Sequence, residues 1–319
     1  MDPRVSNDGI SRVWKQRSSR FMTAIISRSI RRVVVIALLL ASFPKIKARS
    51  ARIVYGEPAR KDEYPAFVAL LENATRADGR DRLLCGGSLI SKRVVLTAAH
   101  CVDPDIIQKR AKSLKVVRGD IRLSKLGSGA FKSADEISEV EKVIIHPSFP
   151  RKVRDIALII LQKGMPKPYM KIARAIPKYK ARVTTMGYGR NDKFPYFDPD
   201  KNKTVPGFSN KLYKLELRLG AFGKYPCPKT VYGETEQKGR ELCAYGYNPE
   251  TTGFPSSCNG DSGSPLLDSQ GRIIGLGSRG VPSNSEENLC QIFWEPFTLF
   301  SNVPSYYNSF IEPVLKEYS

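Results

Sequence analysis

The sequence predicts an all-β protein built as barrels, and three observations carry that expectation. Short apolar runs rich in Val, Ile, Leu and Thr recur after residue 53, each bounded by Gly, Pro or charged residues, as strands joined by turns require. Neither an internal repeat nor a low-complexity tract interrupts them. A connector rich in Pro and Lys, residues 163–180, divides the runs into two groups.

In chain order the first group holds AFVALL at 66–71, SLIS at 88–91, VVLTA at 94–98 and IALIIL at 156–161. The last is continuously apolar, which suits a strand buried on both faces. The second group holds RVTTMGYG at 182–189, KLELRL at 214–219, SPLLD at 264–268 and RIIGLGS at 272–278. Residues 53–319 number 267, enough for one large unit or two barrels sharing an interface.

Residues 1–52 read as targeting and processing sequence. Basic residues cluster over 28–32, an unbroken apolar run fills 33–40, and small residues follow at Ala41 and Ser42, with Ala48 a further candidate cleavage position. That pattern resembles a secretory signal, for which Met22 is a second candidate initiator. A membrane anchor is disfavoured, because even residues 33–43 offer only 11 positions against the roughly 20 that span a bilayer. The expected division is a signal with a basic leader over 1–48 and a short propeptide over 49–52.

Three stretches far apart in the chain each carry one member of an acyl-transfer apparatus: TAAHC with His100, DIALI with Asp155 and GDSGSP with Ser262. A serine hydroxyl becomes a nucleophile when a neutral imidazole takes its proton, and that imidazole needs a buried carboxylate to fix its tautomer. Asp155 stands at the edge of the IALIIL run, where a carboxylate can be held out of water. The glycines of SCNGDSGSP allow backbone angles that aim two N–H groups at one developing oxyanion. Only two histidines exist in the chain. The other, His146 in IIHPSF, precedes a proline that favours a turn and reads as a surface-loop residue.

These segments, in the order His, Asp, Ser, resemble the chymotrypsin-like (trypsin-fold) serine endopeptidases, and the resemblance covers nearly all of residues 53–319. It implies two antiparallel Greek-key β-barrels, the first over about 53–165 and the second over about 180–304, with the active site between them and a short C-terminal helix over about 305–317. Pro313 is expected to bend or shorten that helix. The implied roles are Ser262 as nucleophile, His100 as proton shuttle, Asp155 as its orienting carboxylate, and the backbone N–H groups of Gly260 and Ser262 as oxyanion donors. Ser264 stands where many relatives carry glycine, a small change of little expected effect.

The junction Arg52-Ile53-Val54-Tyr55-Gly56 looks like the family's activation site. Cleavage after Arg52 would free the Ile53 amine to enter the interior and pair with Asp261, the aspartate before the nucleophile. A buried carboxylate is costly without a partner, so the ordered oxyanion loop should depend on that cut. Activity should then fall as pH rises far enough to deprotonate the amine, whose reference pKa of about 7.7 to 8.0 is raised by pairing.

The six cysteines allow many pairings on sequence alone. The resemblance implies Cys85 with Cys101, Cys227 with Cys243, and Cys258 with Cys290. A metal site is disfavoured, because no CxxC pair is present and histidine is scarce. Asp120, Asp135 and Glu136 roughly flank a loop that binds calcium in some relatives, and read here as a solvated loop. No cofactor is expected. Disulfides together with a signal point to a secreted, extracellular product, in which the sequons at Asn73 and Asn202 are candidate glycosylation sites.

By resemblance the residue at the base of the primary substrate pocket is Ser256, which removes the counter-charge for Arg and Lys. Ser278 and Gly280 would line one wall and Thr298 the opposite one, giving a pocket for apolar side chains of medium size. Arg279 replaces a usually aromatic residue. A carboxylate from Glu286 or Glu287 folding inward would readmit basic substrates.

The net charge of +21 is uneven: residues 1–52 hold 12 basic and 2 acidic residues, leaving +11 on residues 53–319. Lys163, Lys167, Lys171, Arg174, Lys178, Lys180 and Arg182 form a stretch without any acid. Such a stretch attracts sulfated glycans, anionic membranes or acidic substrates, or serves only solubility. No nucleic-acid module accompanies it, which argues against nucleic-acid binding. The sequence thus indicates a secreted serine endopeptidase, made as a zymogen, acting on proteins or peptides and dependent on an activating protease, with protein inhibitors and anionic glycans as candidate partners. The alternative is a catalytically weak or inactive homologue that binds or inhibits through the same fold.

Overall fold

The computed structural model describes residues 56–72, 82–103, 114–118, 137–149, 154–198, 203–208, 211–220, 239–246, 257, 260–280 and 297–319. Arg52, Ile53, the sequons at Asn73 and Asn202, Ser256, the cysteines Cys227, Cys258 and Cys290, and the acids Asp120, Asp135, Glu136, Glu286 and Glu287 lie outside the described residues.

Strands β2 (Phe67–Glu72), β3 (Arg82–Leu89), β4 (Val94–Thr97), β5 (Leu114–Arg118), β6 (Ile137–Ile145) and β7 (Ala157–Leu161) close into one antiparallel barrel, in the order β2-β3-β4-β7-β6-β5. The step from β4 to β7 is a Greek-key connection, and pairing of β5 with β2 closes the sheet so that no edge remains open. A second closed barrel runs β8 (Arg182–Gly187), β11 (Tyr213–Leu219), β12 (Glu241–Tyr245), β15 (Phe297–Asn302), β14 (Ile273–Gly280) and β13 (Pro265–Leu267), which returns to β8. The short β1 (Glu57–Pro58) adds to β11, while β9 (Arg190–Asp198) and β10 (Lys203–Phe208) pair with each other.

Strand β2 shows why its sequence is apolar without alternation. Val68 and Leu70 join the cluster that includes Leu89, Val95 and Ile159, whereas Phe67, Ala69 and Leu71, facing the other way, join Leu96, Ile156, Met186, Tyr188 and Leu276. Because successive side chains point to opposite faces, both faces are buried, and all six residues of β2 are. The second cluster takes residues from both barrels and from the C-terminal segment. Full burial of such side chains stabilises by about 1.5–3 kcal/mol each, so the seam between the barrels is held by core packing. Tyr213, Leu217, Ala244 and Phe300 form a separate core within the second barrel.

The C-terminal segment is shorter in α-helix than expected over 305–317. A 3₁₀ turn at Val303–Tyr306 and a π-helical stretch at Tyr307–Ile311 precede α1, Glu312–Tyr318. Pro313 sits in the first turn of α1, directly after the π-helical stretch, so the regular α-helix begins only at Glu312. His146 also departs from expectation. Its ring is half-buried against Tyr306 and Phe310, with centroids 5.3 Å and 5.0 Å away, and Nδ1 accepts the Ser148 N–H. Burial, and secondarily the charge of Arg240, lower its pKa. It is a packing residue rather than a surface-loop one.

Candidate active site

Strand β4 ends at Thr97, and a 3₁₀ turn, Ala99–Cys101, carries His100 out of the first barrel. The turn is stapled to β3 by the Cys85–Cys101 disulfide, with Cα atoms 6.1 Å apart and a sequence separation of 16. Loop closure of that length contributes about 3 kcal/mol. The two sulfurs and the imidazole lie close together, but sulfurs joined to each other offer no thiolate to a metal. Cys243 is likewise disulfide-bonded, and its expected partner Cys227 is outside the described residues.

Asp155 precedes Ile156, which leads into the buried strand β7, and is 5% exposed. Its Oδ1 accepts the backbone N–H of His100 at 2.9 Å, and its Oδ2 lies 2.7 Å from His100 Nδ1. The Ser278 hydroxyl donates to Oδ2 at 2.6 Å, and the Ser301 hydroxyl donates to the Asp155 carbonyl at 2.8 Å. Burial alone would push the carboxyl pKa up, yet the hydrogen bonds and charge of His100, with the Ser278 bond, outweigh it and hold the pKa below the ordinary value. An ionised carboxylate accepts only, so Nδ1 of His100 carries a proton, and in the neutral ring Nε2 presents a lone pair.

Ser262 lies on a turn between Gly260, φ +98°, and Gly263, φ +74°, a left-handed conformation that glycine tolerates best. The turn is fixed to both barrels. The Gly86 N–H donates to the Ser262 carbonyl at 2.8 Å, and the Gly263 N–H donates to the Gly277 carbonyl at 2.7 Å. A Cβ at Gly263 would collide with Thr97 Oγ1 and the Gly86 carbonyl and press on the Ala98 nitrogen. The backbone after Ser262 therefore packs on the two residues that lead into the His100 turn. The imidazole and carboxylate are joined, whereas Ser262 Oγ makes no hydrogen bond with His100 in this conformation. Its Nε2 instead lies 3.8 Å from Cys101 Sγ.

Asp261 is 2% exposed, and its Oδ1 accepts the Gly189 N–H at 2.7 Å. A Cβ on either Gly187 or Gly189 would strike its carboxylate, so the GYG segment at the end of β8 is a cradle shaped around that group. This pair of glycines, and the support that Ser278 and Ser301 give Asp155, were not singled out in the sequence. The glycine pair after a strand was the available signal for the cradle; the serines had none.

Thr298 is 2% exposed, and its Oγ1 accepts the Ser257 N–H at 3.4 Å with the Ser257 hydroxyl 3.3 Å away. Gly280 and Thr298 are register partners on β14 and β15. They are therefore neighbours in one sheet, and Thr298 hydrogen-bonds Ser257, one position after Ser256.

The sequence profile described as Trypsin matches residues 53–303. The chain is 30% identical over 247 residues to a trypsin-like protease of Streptomyces glaucescens, covering 76% of this chain and 78% of that protein. It is 28% identical over 263 residues to chymotrypsin-like elastase family member 1 of Homo sapiens, covering 81% and 90%. Against CLIP domain-containing serine protease B10 of Anopheles gambiae the identity is 29% over 232 residues, and the match spans 68% of this chain and 58% of the relative. With two closed six-stranded barrels, a short closing helix and a family match over most of its length, the chain belongs to the trypsin family of serine endopeptidases.

Proposed function

We propose that the chain is made as a secreted zymogen, cut after Arg52, that hydrolyses protein or peptide substrates through an acyl-enzyme on Ser262. The observation that carries this reading is the buried Asp155 carboxylate, paired with His100 Nδ1 at 2.7 Å beside the turn that bears Ser262. His100 Nε2 takes the hydroxyl proton as Ser262 Oγ bonds to the scissile carbonyl carbon, and the N–H groups of Gly260 and Ser262 receive the oxyanion. Collapse of the tetrahedral species breaks the C–N bond, and His100 returns the proton to the leaving amine. Water then repeats the sequence on the acyl-enzyme and frees Ser262. Substrate binding draws Ser262 Oγ onto Nε2, since such bonds tighten in the Michaelis complex.

The signal over 1–48, glycosylation at Asn73 and Asn202, and the pairings Cys227–Cys243 and Cys258–Cys290 belong to the same reading. An activating protease, protein inhibitors and anionic glycans remain the partners it names. The Ile53 amine would enter the Asp261 cradle after cleavage. An Arg52→Gln chain, exposed to trypsin-like activators, is expected to stay inactive, with N-terminal sequencing finding no chain that begins at Ile53. Full activity of that uncut chain would refute the switch.

The second reading, a binding or inhibitory homologue, draws on the open Ser262–His100 contact. Labelling of Arg52-cleaved protein by an organophosphonate specific for activated serines separates the two, and failure to label would favour the non-catalytic one.

For the substrate pocket, the Thr298–Ser257 hydrogen bonds bring a branched side chain against Ser257, and in this reading that side chain limits the size of the substrate residue admitted. Small to medium apolar side chains are the preferred substrates. Thr298→Gly is expected to raise kcat/KM for Phe or Tyr over Ala or Val by about 10-fold or more, the worth of a methyl or two in an apolar pocket. Cleavage after Arg and Lys by the unaltered protein, in a mixed peptide library, would overturn this assignment.

A further inference from the structure

The connector between the barrels and the C-terminal segment border an open hollow of about 620 Å³ that shares no residue with the active site. Its floor is apolar, formed by Ile90, Met170, Ile172 and Leu315, and its rim is cationic, formed by the exposed Lys167, Lys171 and Arg174. Among the described residues the lining contains no carboxylate. The connector is fixed here, because the Met170 N–H donates to the Leu89 carbonyl at 2.9 Å, the Ile273 N–H to the Lys171 carbonyl at 2.8 Å, and the Ala173 N–H to the Ile273 carbonyl at 2.9 Å. Arg174 is held too, its guanidinium stacked 3.3 Å from the centre of the Tyr307 ring.

The same connector carries the exposed large apolar side chains Ile176, 47% exposed, and Tyr179, 59% exposed. Among the described residues, Lys167, Lys171, Arg174 and Lys178 have no carboxylate within ion-pairing distance. Cations without counter-charges, next to a preformed apolar hollow and exposed apolar side chains, describe a surface that lacks a partner of opposite charge. Charge decides what that partner is. The chain's own leader, with 12 basic and 2 acidic residues, and a second copy, with +11 on residues 53–319, are both repelled. A glycan chain carries negative charge but no large apolar group for the floor. A membrane presents a broad face, which does not fill a recess of about 620 Å³.

We infer that this hollow is an exosite for an acidic protein segment, seating a large apolar side chain on Met170, Ile172 and Leu315 while flanking carboxylates pair with Lys167, Lys171 and Arg174. It lies apart from the residues that carry the proposed hydrolysis, so it selects or retains a protein partner without taking part in bond cleavage.

The test uses the full chain carrying Ser262→Ala, so that the probe is not cut, and a fluorescent peptide with one central Phe flanked on both sides by glutamates. Anisotropy titrations at about 0.15 M salt are expected to show saturable binding. Exchanging the Phe for Gly is expected to weaken it about 10-fold or more, the worth of burying one aromatic side chain. Lys167→Glu/Lys171→Glu, both exposed and so harmless to folding, should also cost about 10-fold or more. In the Ser262-bearing chain this double change should leave hydrolysis of a short chromogenic substrate unaltered. Equal binding of the Phe and Gly peptides, or unchanged binding by the double variant, would overturn the inference. So would binding of heparin-type oligosaccharides or phosphatidylserine vesicles, lost in the double variant, where the peptide does not bind. Loss of the proposed catalysis alone would leave the peptide titrations as they are.

Discussion

Replacing Ser262 with alanine in the Arg52-cleaved protein is expected to lower kcat for peptide hydrolysis by about a millionfold, the size found when the nucleophile of another serine protease is removed. KM should change little, because the hydroxyl contributes to bond making and not to the walls that bind substrate. Stability should also be nearly unchanged, within about 0.5 kcal/mol. The reason is structural: the side chain's Oγ makes no hydrogen bond with His100, and the turn is fixed by backbone groups, the Gly86 N–H on the Ser262 carbonyl and the Gly263 N–H on the Gly277 carbonyl. Alanine keeps all of them. Hydrolysis, organophosphonate labelling and urea unfolding, measured together, give the check. A variant that folds as the parent does and retains more than about one part in a thousand of its rate would show that another group attacks the carbonyl.

How far the sequence reached depends on what each residue must satisfy locally. AFVALL and IALIIL were legible because strands buried on both faces need unbroken apolar runs, and β2 and β7 are such strands. Strand β6, ISEVEKVII, is not legible in the same way, because much of it faces solvent and its apolar residues are diluted by Glu and Lys. The β9–β10 hairpin is hidden for a related reason, since RNDKFPYFD and KTVPGF carry charges and prolines that signal loops. The site divides the same way. His100, Asp155 and Ser262 each stand in a short motif, whereas the Ser278 hydrogen bond to Asp155 joins residues 123 positions apart. Nothing near either residue in the chain announces that contact, because it arises only when β14 of the second barrel meets the edge of β7 in the first. The same holds for Gly280 and Thr298, whose adjacency is a matter of strand register.

Asp155→Asn is expected to leave the fold intact and to lower kcat at neutral pH by about 10,000-fold, the magnitude established for the corresponding change elsewhere in this family. The hydrogen bonds say how. Oδ1 accepts the backbone N–H of His100, while Oδ2 receives both Nδ1–H of His100 and the Ser278 hydroxyl. An asparagine must put its NH₂ at one of these places. A backbone N–H cannot reverse its polarity, but a hydroxyl rotates and an imidazole changes tautomer, so the amide oxygen takes the Oδ1 place and the NH₂ takes the other. The amide then donates to Nδ1, the ring proton moves to Nε2, and Nε2 can no longer accept the proton of Ser262. Nitrogen NMR of His100 should show that exchange of tautomers directly, and an unchanged Nδ1–H signal with full activity would contradict the assignment. The substitution has a second signature in stability. Burial raises the Asp155 pKa, but the bonds from His100 and Ser278 prevail and leave it below the ordinary value. A depressed carboxyl pKa stabilises the fold above the unfolded value of about 3.9 and loses that contribution as pH falls through the native value. Asparagine does not titrate. The difference in unfolding free energy between parent and variant should therefore be constant at neutral pH and shrink as the solution is acidified below about 3.9, whereas a difference that persists unchanged into acid would mean that the carboxylate's charge contributes nothing to holding His100.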